Sequence, residues 1–510
     1  MMIKHPHGHC LLLLSTLLGA CTVGPNFKPP TPQTPEHWST HATAQPAATP
    51  AATPAAAAAA AGGVVVEQTG QLGDWWTGFA DPQLDSLIAR AVSSNLDLRA
   101  AVLRIDEARA QRDISASAMW PTLAVDGSFN RQRFSETTPT GALFTSVGSA
   151  HLPGGASTSV PNPYNQFQLS GTASWELDLF GRVRRAVEAS QAGLQVSIED
   201  QRAVLVALLA DVAGAYMDLR GAQARLAVTR ENLATMDDLL ELTRQRRAAG
   251  LTTHIDVGNA MAQSALTRAQ IPAFELQITV DINQLSELLG LAPDALRAEL
   301  ESPAAVPRAT REVPIGVPAD LARRRPDIRE AEANLHAATA EVGVATANLY
   351  PRLTLGGTGG VQSETAGNLL EWASRFVTLG PTIDVPVFDR GRWKSVHLYD
   401  VRSQEAALAY QRTVLNALHE VENALAAYAA DQNRREWLDS TVVQDREVLG
   451  LTRQRYESGV SSFVDVLDSE RSLQQNELAL ADTTTAVSSD LVRLYRALGG
   501  GWQSGEQPGA

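Results

Sequence analysis

Residues 242–257 read LTRQRRAAGLTTHIDV and residues 451–466 read LTRQRYESGVSSFVDV, with eight identities at a constant spacing of 209 positions. A match of that density at one offset marks an internal repeat, which sets the architecture before any finer reading. Upstream, Asp97, Arg99, Ala101, Ala108 and Trp120-Pro121 return 230 positions later as Asp327, Arg329, Ala331, Ala338 and Tyr350-Pro351. The order of elements is therefore repeated, while the spacers differ. The segment before each copy, from Gly181-Arg182 to Gly250 and from Gly391-Arg392 to Gly459, contains no proline. Each spans about 68 residues, or roughly 100 Å of helix at 1.5 Å per residue. Leu205, Leu208, Val212, Ala215, Leu219, Ala222, Leu226, Thr229, Leu233, Met236 and Leu240 alternate in steps of three and four, the spacing of a coiled-coil seam. Val466, Leu473, Leu480, Val487 and Leu494 continue beyond the motif at strict heptad spacing. Gly250 and Gly459 suit helix C-termini, and the Thr or Ser that follows suits the next N-cap. The pattern predicts two long antiparallel helical hairpins.

Ahead of each hairpin, helical patterns at 84–118 and 319–348 stop at Trp120-Pro121 and Tyr350-Pro351, because proline cannot continue a helix. Strand patterns follow. Over 166–179, Phe167, Leu169, Ala173, Trp175, Leu177 and Leu179 alternate with Gln166, Gln168, Ser170, Thr172, Ser174, Glu176 and Asp178, which is period two without a slip. Weaker alternation runs over Leu123–Phe129, from Leu353 onward, and through Val377, Leu379, Ile383, Val385 and Val387. Four strands that are apolar on one face and polar on the other match a transmembrane barrel wall. Four cannot close a barrel, and an open edge in lipid leaves backbone groups unsatisfied, so partner chains are required. Three copies would give twelve strands. The sequence permits other numbers. The expected fold is an α+β membrane protein built by internal duplication, in which each chain gives four strands to a transmembrane β-barrel completed by partner copies and continues as a long α-helical coiled-coil tunnel.

Composition agrees with long helices and argues against other classes. The chain is 44% hydrophobic but only 5% aromatic, with Ala the leading apolar residue. A net charge of -14 repels phosphate backbones, which excludes nucleic acid as a partner. Near the N-terminus, Lys4, an apolar run from Leu11 to Leu18, and Gly19-Ala20 before Cys21 read as a secretory signal, with an apolar stretch too short to span a bilayer. Leu18-Gly19-Ala20-Cys21 resembles the bacterial lipobox, which implies lipidation of Cys21. Several acyl chains hold a terminus firmly where one would not. Cys10 and Cys21 are the only cysteines, so the mature chain forms no internal disulfide. The expected organisation is a signal peptide over 1–20, a lipidated N-terminus and Pro/Ala-rich tether over 21–73, a first repeat over 74–290, a connection over 291–318, a second repeat over 319–500 and a polar tail over 501–510.

The duplicated plan resembles the TolC-like outer membrane factor family, specifically its lipoprotein subgroup, across nearly the whole chain. The residues that carry the likeness are Cys21-Thr22-Val23-Gly24-Pro25, Trp75-Trp76 with Phe79 and Asp81-Pro82, Arg324-Arg325-Pro326-Asp327-Ile328, and 451–468. The resemblance implies a homotrimer in the bacterial outer membrane, with a trimeric 12-stranded transmembrane β-barrel of four strands per chain and an α-helical tunnel, lipid-anchored and projecting into the periplasm. It also implies docking to a periplasmic adapter protein and an inner-membrane RND-type pump, with passive efflux through the channel. No cofactor is expected beyond the covalent lipid on Cys21.

Asp465 and Asp468 stand three apart and share a helix face. Three copies would set six negative charges around an axis as a cation-attracting ring. The competing reading is that acids favour a helix N-terminus because of its dipole. Matching family positions form a periplasmic constriction, and Tyr456 and Asp256 fall where the family places partners in the closing network. Ser461 departs from that pattern, standing where the family's namesake carries an arginine. The two repeats also diverge here, with Arg247 against Tyr456 and Gly258 against Leu467.

Other features carry less. His5, His7 and His9 lie in the signal, and His254, His336, His397 and His419 have no ligand spacing, so no metal site is expected. Gly356–Gly360 lacks the Gly-Lys-Ser/Thr ending of a phosphate loop and reads as strand or turn. Arg323–Arg325 reads equally as a solvated helix start or as an interface. No nucleophile elbow or acid–base pair appears, so no catalytic residue is expected and an envelope-bound enzyme is disfavoured. A periplasmic coiled-coil adapter or structural envelope protein would share the hairpins but lack the strands.

Overall fold

The computed structural model describes residues 22–31, 34–39, 64–66, 72–135, 137–139, 142, 162–310 and 312–502. In chain order the elements are β1 (Val65–Val66), α1 (Pro82–Ser94), α2 (Leu96–Ser117), β2 (Thr122–Gln132), β3 (Tyr164–Leu177), α3 (Arg182–Ala248), α4 (His254–Leu288), α5 (Arg297–Leu300), β4 (Val313–Pro314), α6 (Leu321–Arg324), α7 (Pro326–Ala347), β5 (Arg352–Ser363), β6 (Arg375–Asp384), α8 (Arg390–Glu457) and α9 (Phe463–Ala497). The sequence α2-β2-β3-α3-α4 is thus repeated as α7-β5-β6-α8-α9. The outgoing helices are 67 and 68 residues long and the returning ones 35 each.

The repeats do not fold as separate bodies. Among the described residues two compact units form, each drawn from both copies: one from 22–28, 108–194 and 334–406, the other from 29–107, 195–333 and 407–502. The first unit holds the sheet, ordered β2-β3-β5-β6 and antiparallel throughout, with β2 and β6 at its edges. Gly360 lets β5 approach β3, since a Cβ there would collide with the Leu169 carbonyl oxygen. The second unit holds the main apolar core, in which Trp75 stacks on Tyr495 at 4.9 Å beside the buried Leu84, Leu87, Tyr216, Ile282 and Leu285. Among the described residues no helix is long and apolar enough to cross a membrane.

Four expectations need correction. The pattern over 84–118 is two helices rather than one, because the Asn95 carboxamide accepts the Leu98 amide at 2.8 Å and caps α2. The second copy breaks at the matching place, where Pro326 opens α7. The tether is partly seated: Trp38 is buried with its indole donating to the Gly316 carbonyl, and Val65–Val66 pairs in parallel with Val313–Pro314. The C-terminal tail starts later than 501, since Trp502 is buried, donates to the Arg324 carbonyl at 2.8 Å and lies under Arg202 at 4.5 Å. Arg325 is no solvated helix start. It is buried, pairs with Asp327 and Glu420 at 2.7 Å each, and donates to the Ala497 carbonyl. Its planar fork thereby ties α7 to the end of α9.

Candidate functional site

The sheet separates two chemistries. Residues directly opposite one another in a ladder share a face. The rows Leu123–Ala173–Gly357–Leu379, Val125–Gly171–Gly359–Val377 and Leu177–Leu353–Ile383 form one face, and Phe129 meets Phe167 on it with rings 4.7 Å apart. The intervening rows Ala124–Thr172–Thr358–Thr378, Ser128–Gln168–Gln362 and Glu176–Thr354–Thr382 form the other. Apolar side chains on the first face stand in the open, with Leu123 at 78% and Leu379 at 79% exposure. Water would penalise that arrangement, whereas a hydrocarbon surround would not. At one end of the sheet Glu176 takes a two-pronged ion pair from Arg182 at 2.7–2.8 Å, and Arg184 bonds Asp178.

The hairpin turns are built alike. Gly250 and Gly459 have φ of 73° and 78°, a conformation glycine adopts without a Cβ penalty. Each lets its helix end in paired reverse bonds, Gly250 to Arg247 and Leu251 to Arg246, and Gly459 to Tyr456 and Val460 to Arg455. Thr253 and Ser462 then open the return helices with reciprocal caps, in which Asp256 and Asp465 bond back to the cap amides at 3.0 and 2.9 Å. Thr252 donates to Asp256 at 2.6 Å and Ser461 to Asp465 at 2.8 Å. These hydroxyls, then the cap groups, hold both carboxyls below the ordinary carboxylate range. Both are therefore ionised at neutral pH. The stabilisation they lend is present above the ordinary range and is lost as pH falls through the lowered values.

Asp468 is exposed on the same face as Asp465, one turn further along α9. Tyr456 is placed differently, at 4% exposure, with its ring edge-on to Phe463 at 5.9 Å and Arg246 of the other hairpin 4.6 Å above it. Its hydroxyl has no hydrogen-bond partner. Among the described residues no hydrogen bond joins Asp256, Tyr456, Asp465 and Asp468 to one another. Within one chain, then, Arg246 of the first hairpin packs on Tyr456 of the second, Asp256 is half-buried, and Asp465 and Asp468 are exposed.

The family model described as "Outer membrane efflux protein" matches residues 87–291 and 317–500. The chain belongs to the outer membrane efflux protein family. Each matched segment carries one strand pair and one hairpin. The chain is 34% identical to the outer membrane protein OprJ of Pseudomonas aeruginosa, covering 99% of this chain and 98% of that one. It is 30% identical to nodulation protein T of Rhizobium leguminosarum bv. trifolii, covering 96% of each. Among solved structures it is similar to the outer-membrane channel OprN, with a TM-score of 0.81 and 33% identity, covering 95% of this chain and 100% of that chain.

Within this family fold the motif residues have physical roles. Asp81 caps α1 through the Gln83 and Leu84 amides and also accepts the Tyr216 hydroxyl at 2.9 Å. Cys21 lies outside the described residues. Its neighbours are seated: the Val23 amide bonds the Phe180 carbonyl, Arg185 donates to Asn26, and Phe27 stacks on His336 at 4.3 Å. His336 also bonds Glu188 at 3.1 Å, so it serves helix packing. Sequence reading missed Arg246, which its exposed mate Arg455 gave no reason to single out. It also missed Glu470, at 3% exposure, where burial foremost pushes the carboxyl up to about 7.

Proposed function

We propose that this outer-membrane efflux protein works as the homotrimeric exit channel of a tripartite system, three chains closing a 12-stranded barrel above a helical tunnel. The observation that carries the reading is the open four-stranded sheet, apolar and exposed on one face and polar on the other. A sheet with two free edges is not tolerated in hydrocarbon, whereas β6 of one copy pairing with β2 of the next removes every edge. The periplasmic adapter and an inner-membrane RND-type pump supply the substrate, and the channel conducts it passively. An adapter or structural coiled-coil role would leave the strands without a purpose. Images of purified particles should show a threefold tapered tube, and a monomeric globule would overturn the reading.

Two finer assignments belong to it. The first is acylation at Cys21, supported by the lipobox and by the seating of residues 22–27 beside Phe180, three residues past β3. Cys21→Ser should abolish incorporation of a labelled fatty acid, and persistent labelling would refute it. The second is a cation-attracting constriction at the hairpin turns, formed by Asp465 and Asp468 with Asp256 and Tyr456 behind them. Its support is that Asp465 and Asp468 are exposed on one face and that Asp465 is ionised at neutral pH. Reconstituted trimers with Asp465→Asn and Asp468→Asn together should lose cation selectivity; unchanged selectivity would remove these residues from the gate.

A further inference from the structure

Asp281 on α4 and Asp490 on α9 occupy equivalent places in the two return helices, 209 positions apart, and each is 2% exposed. The capping acids at the turns keep their charge among hydroxyls and amides. These two are differently placed. One oxygen of Asp281 takes the Gln277 amide at 2.8 Å and one oxygen of Asp490 takes Arg493 at 2.7 Å. The Oδ2 atom of each is buried with no hydrogen-bond partner. An ionised carboxylate in that position forfeits solvation at one oxygen without replacement.

What faces them compounds the cost. Asp218 and Arg225 on α3 face Asp281, and Asp431 on α8 faces Asp490 alongside Arg493. The two sets are linked, because Arg225 pairs with Asp482 on α9 at 2.7 Å and Arg493 of α9 acts on Asp218. Five carboxyls therefore share two guanidiniums. Two like charges in one desolvated site cannot both ionise freely. A neutral carboxyl reverses the problem, since its O–H can donate towards the facing acid.

We propose that Asp281 and Asp490 are a matched pair of proton-operated clamps, each holding its return helix against the outgoing helix while protonated and loosening it when the proton leaves. Desolvation, the leading cause at both, raises both carboxyls above the ordinary range, and Asp218 is raised by the same cause. The sign follows: packing at this level is tightest below the ordinary carboxylate range and weakens as pH rises through the elevated values. This is opposite to the capping acids Asp256 and Asp465. The helical wall thus has two acid systems that respond to pH in contrary directions.

The test is amide hydrogen exchange on the assembled full-length protein from the ordinary carboxylate range, about pH 4, up to about pH 8, corrected for the intrinsic pH dependence of exchange. Peptides around 278–286 and 487–494 should lose protection as pH rises. Asp281→Asn, which keeps the shape of the protonated acid, should abolish the step in the first peptide only, and Asp490→Asn in the second only. Peptides around 467–474 report Glu470 separately. A flat wild-type profile at both peptides, or Asn variants that titrate like wild type, would overturn the proposal. Should an Asn variant fail to assemble, Asp218→Asn and Asp431→Asn decide it: each removes a facing negative charge and should move its step to lower pH. An unmoved step would refute the clamp.

Discussion

The two hairpins share their lengths, turns and caps, yet they stabilise their ends differently. In the second, Tyr456, Phe463 and Leu467 are 4%, 3% and 5% exposed and pack with Val442, Leu449 and Leu473. The first has Arg247, His254 and Gly258 at those three positions, all exposed. It contributes Met236, Leu239, Leu240, Val257 and Ala260 to the same cluster but no aromatic ring. The second hairpin thus builds the core of this end, and the first is laid against it. Duplication made two walls, and divergence made one of them the support.

The largest effect should come from breaking that inequality at its centre. Phe463→Ala removes a fully buried ring and should cost about 3–5 kcal/mol of local stability. The matching change, His254→Ala, touches an exposed side chain and should stay within about 0.5 kcal/mol. Exchange protection of the peptides on either side of Gly250 and Gly459 measures both. Equal losses at the two positions would show that the hairpins are energetically alike, whatever their packing.

How far this could be read from sequence depends on the kind of signal each feature leaves. Gly250, Gly459, Thr253 and Ser462 were legible because a left-handed residue followed by a hydroxyl cap is a local grammar with few alternatives. The strands were legible because period-two alternation in Phe167–Leu177 has no helical reading. Asn95 was missed because its capping bond looks from sequence like any polar residue in a helical run. Trp38 and Trp502 were missed, and the role of Arg325 left open, for another reason: what fixes them are carbonyls 278, 178 and 172 positions away. Pro272 inside α4 left a misleading signal, because a proline there should break a helix that in fact continues to Leu288; its counterpart in α9 is Ala481. For Asp465 and Asp468 at the turn, helical spacing located them; Asp490, far along the same helix, left no such signal, because only the fold shows that it is buried.

The smallest effect tests how the first hairpin leans on the second. Arg246 lies 4.6 Å above the Tyr456 ring and donates to the Glu457 carbonyl at 2.9 Å, whereas its repeat mate Arg455 is exposed. Cation–π contacts at partly exposed sites are worth about 0.5–1 kcal/mol. Arg246→Ala should therefore lower protection of the 451–457 peptide slightly, and Arg455→Ala should not. The single variant alone is ambiguous, because it also removes the bond to the carbonyl. A double-mutant cycle with Tyr456→Leu isolates the ring contact, since leucine fills the buried site without offering a π face. A coupling of about 0.5–1 kcal/mol places the hairpin contact on that ring. Zero coupling would mean that Arg246 contributes only its bond to the end of α8 and that the ring adds nothing to the joint, so the asymmetry between the hairpins would rest on Phe463 and Leu467 rather than on Tyr456.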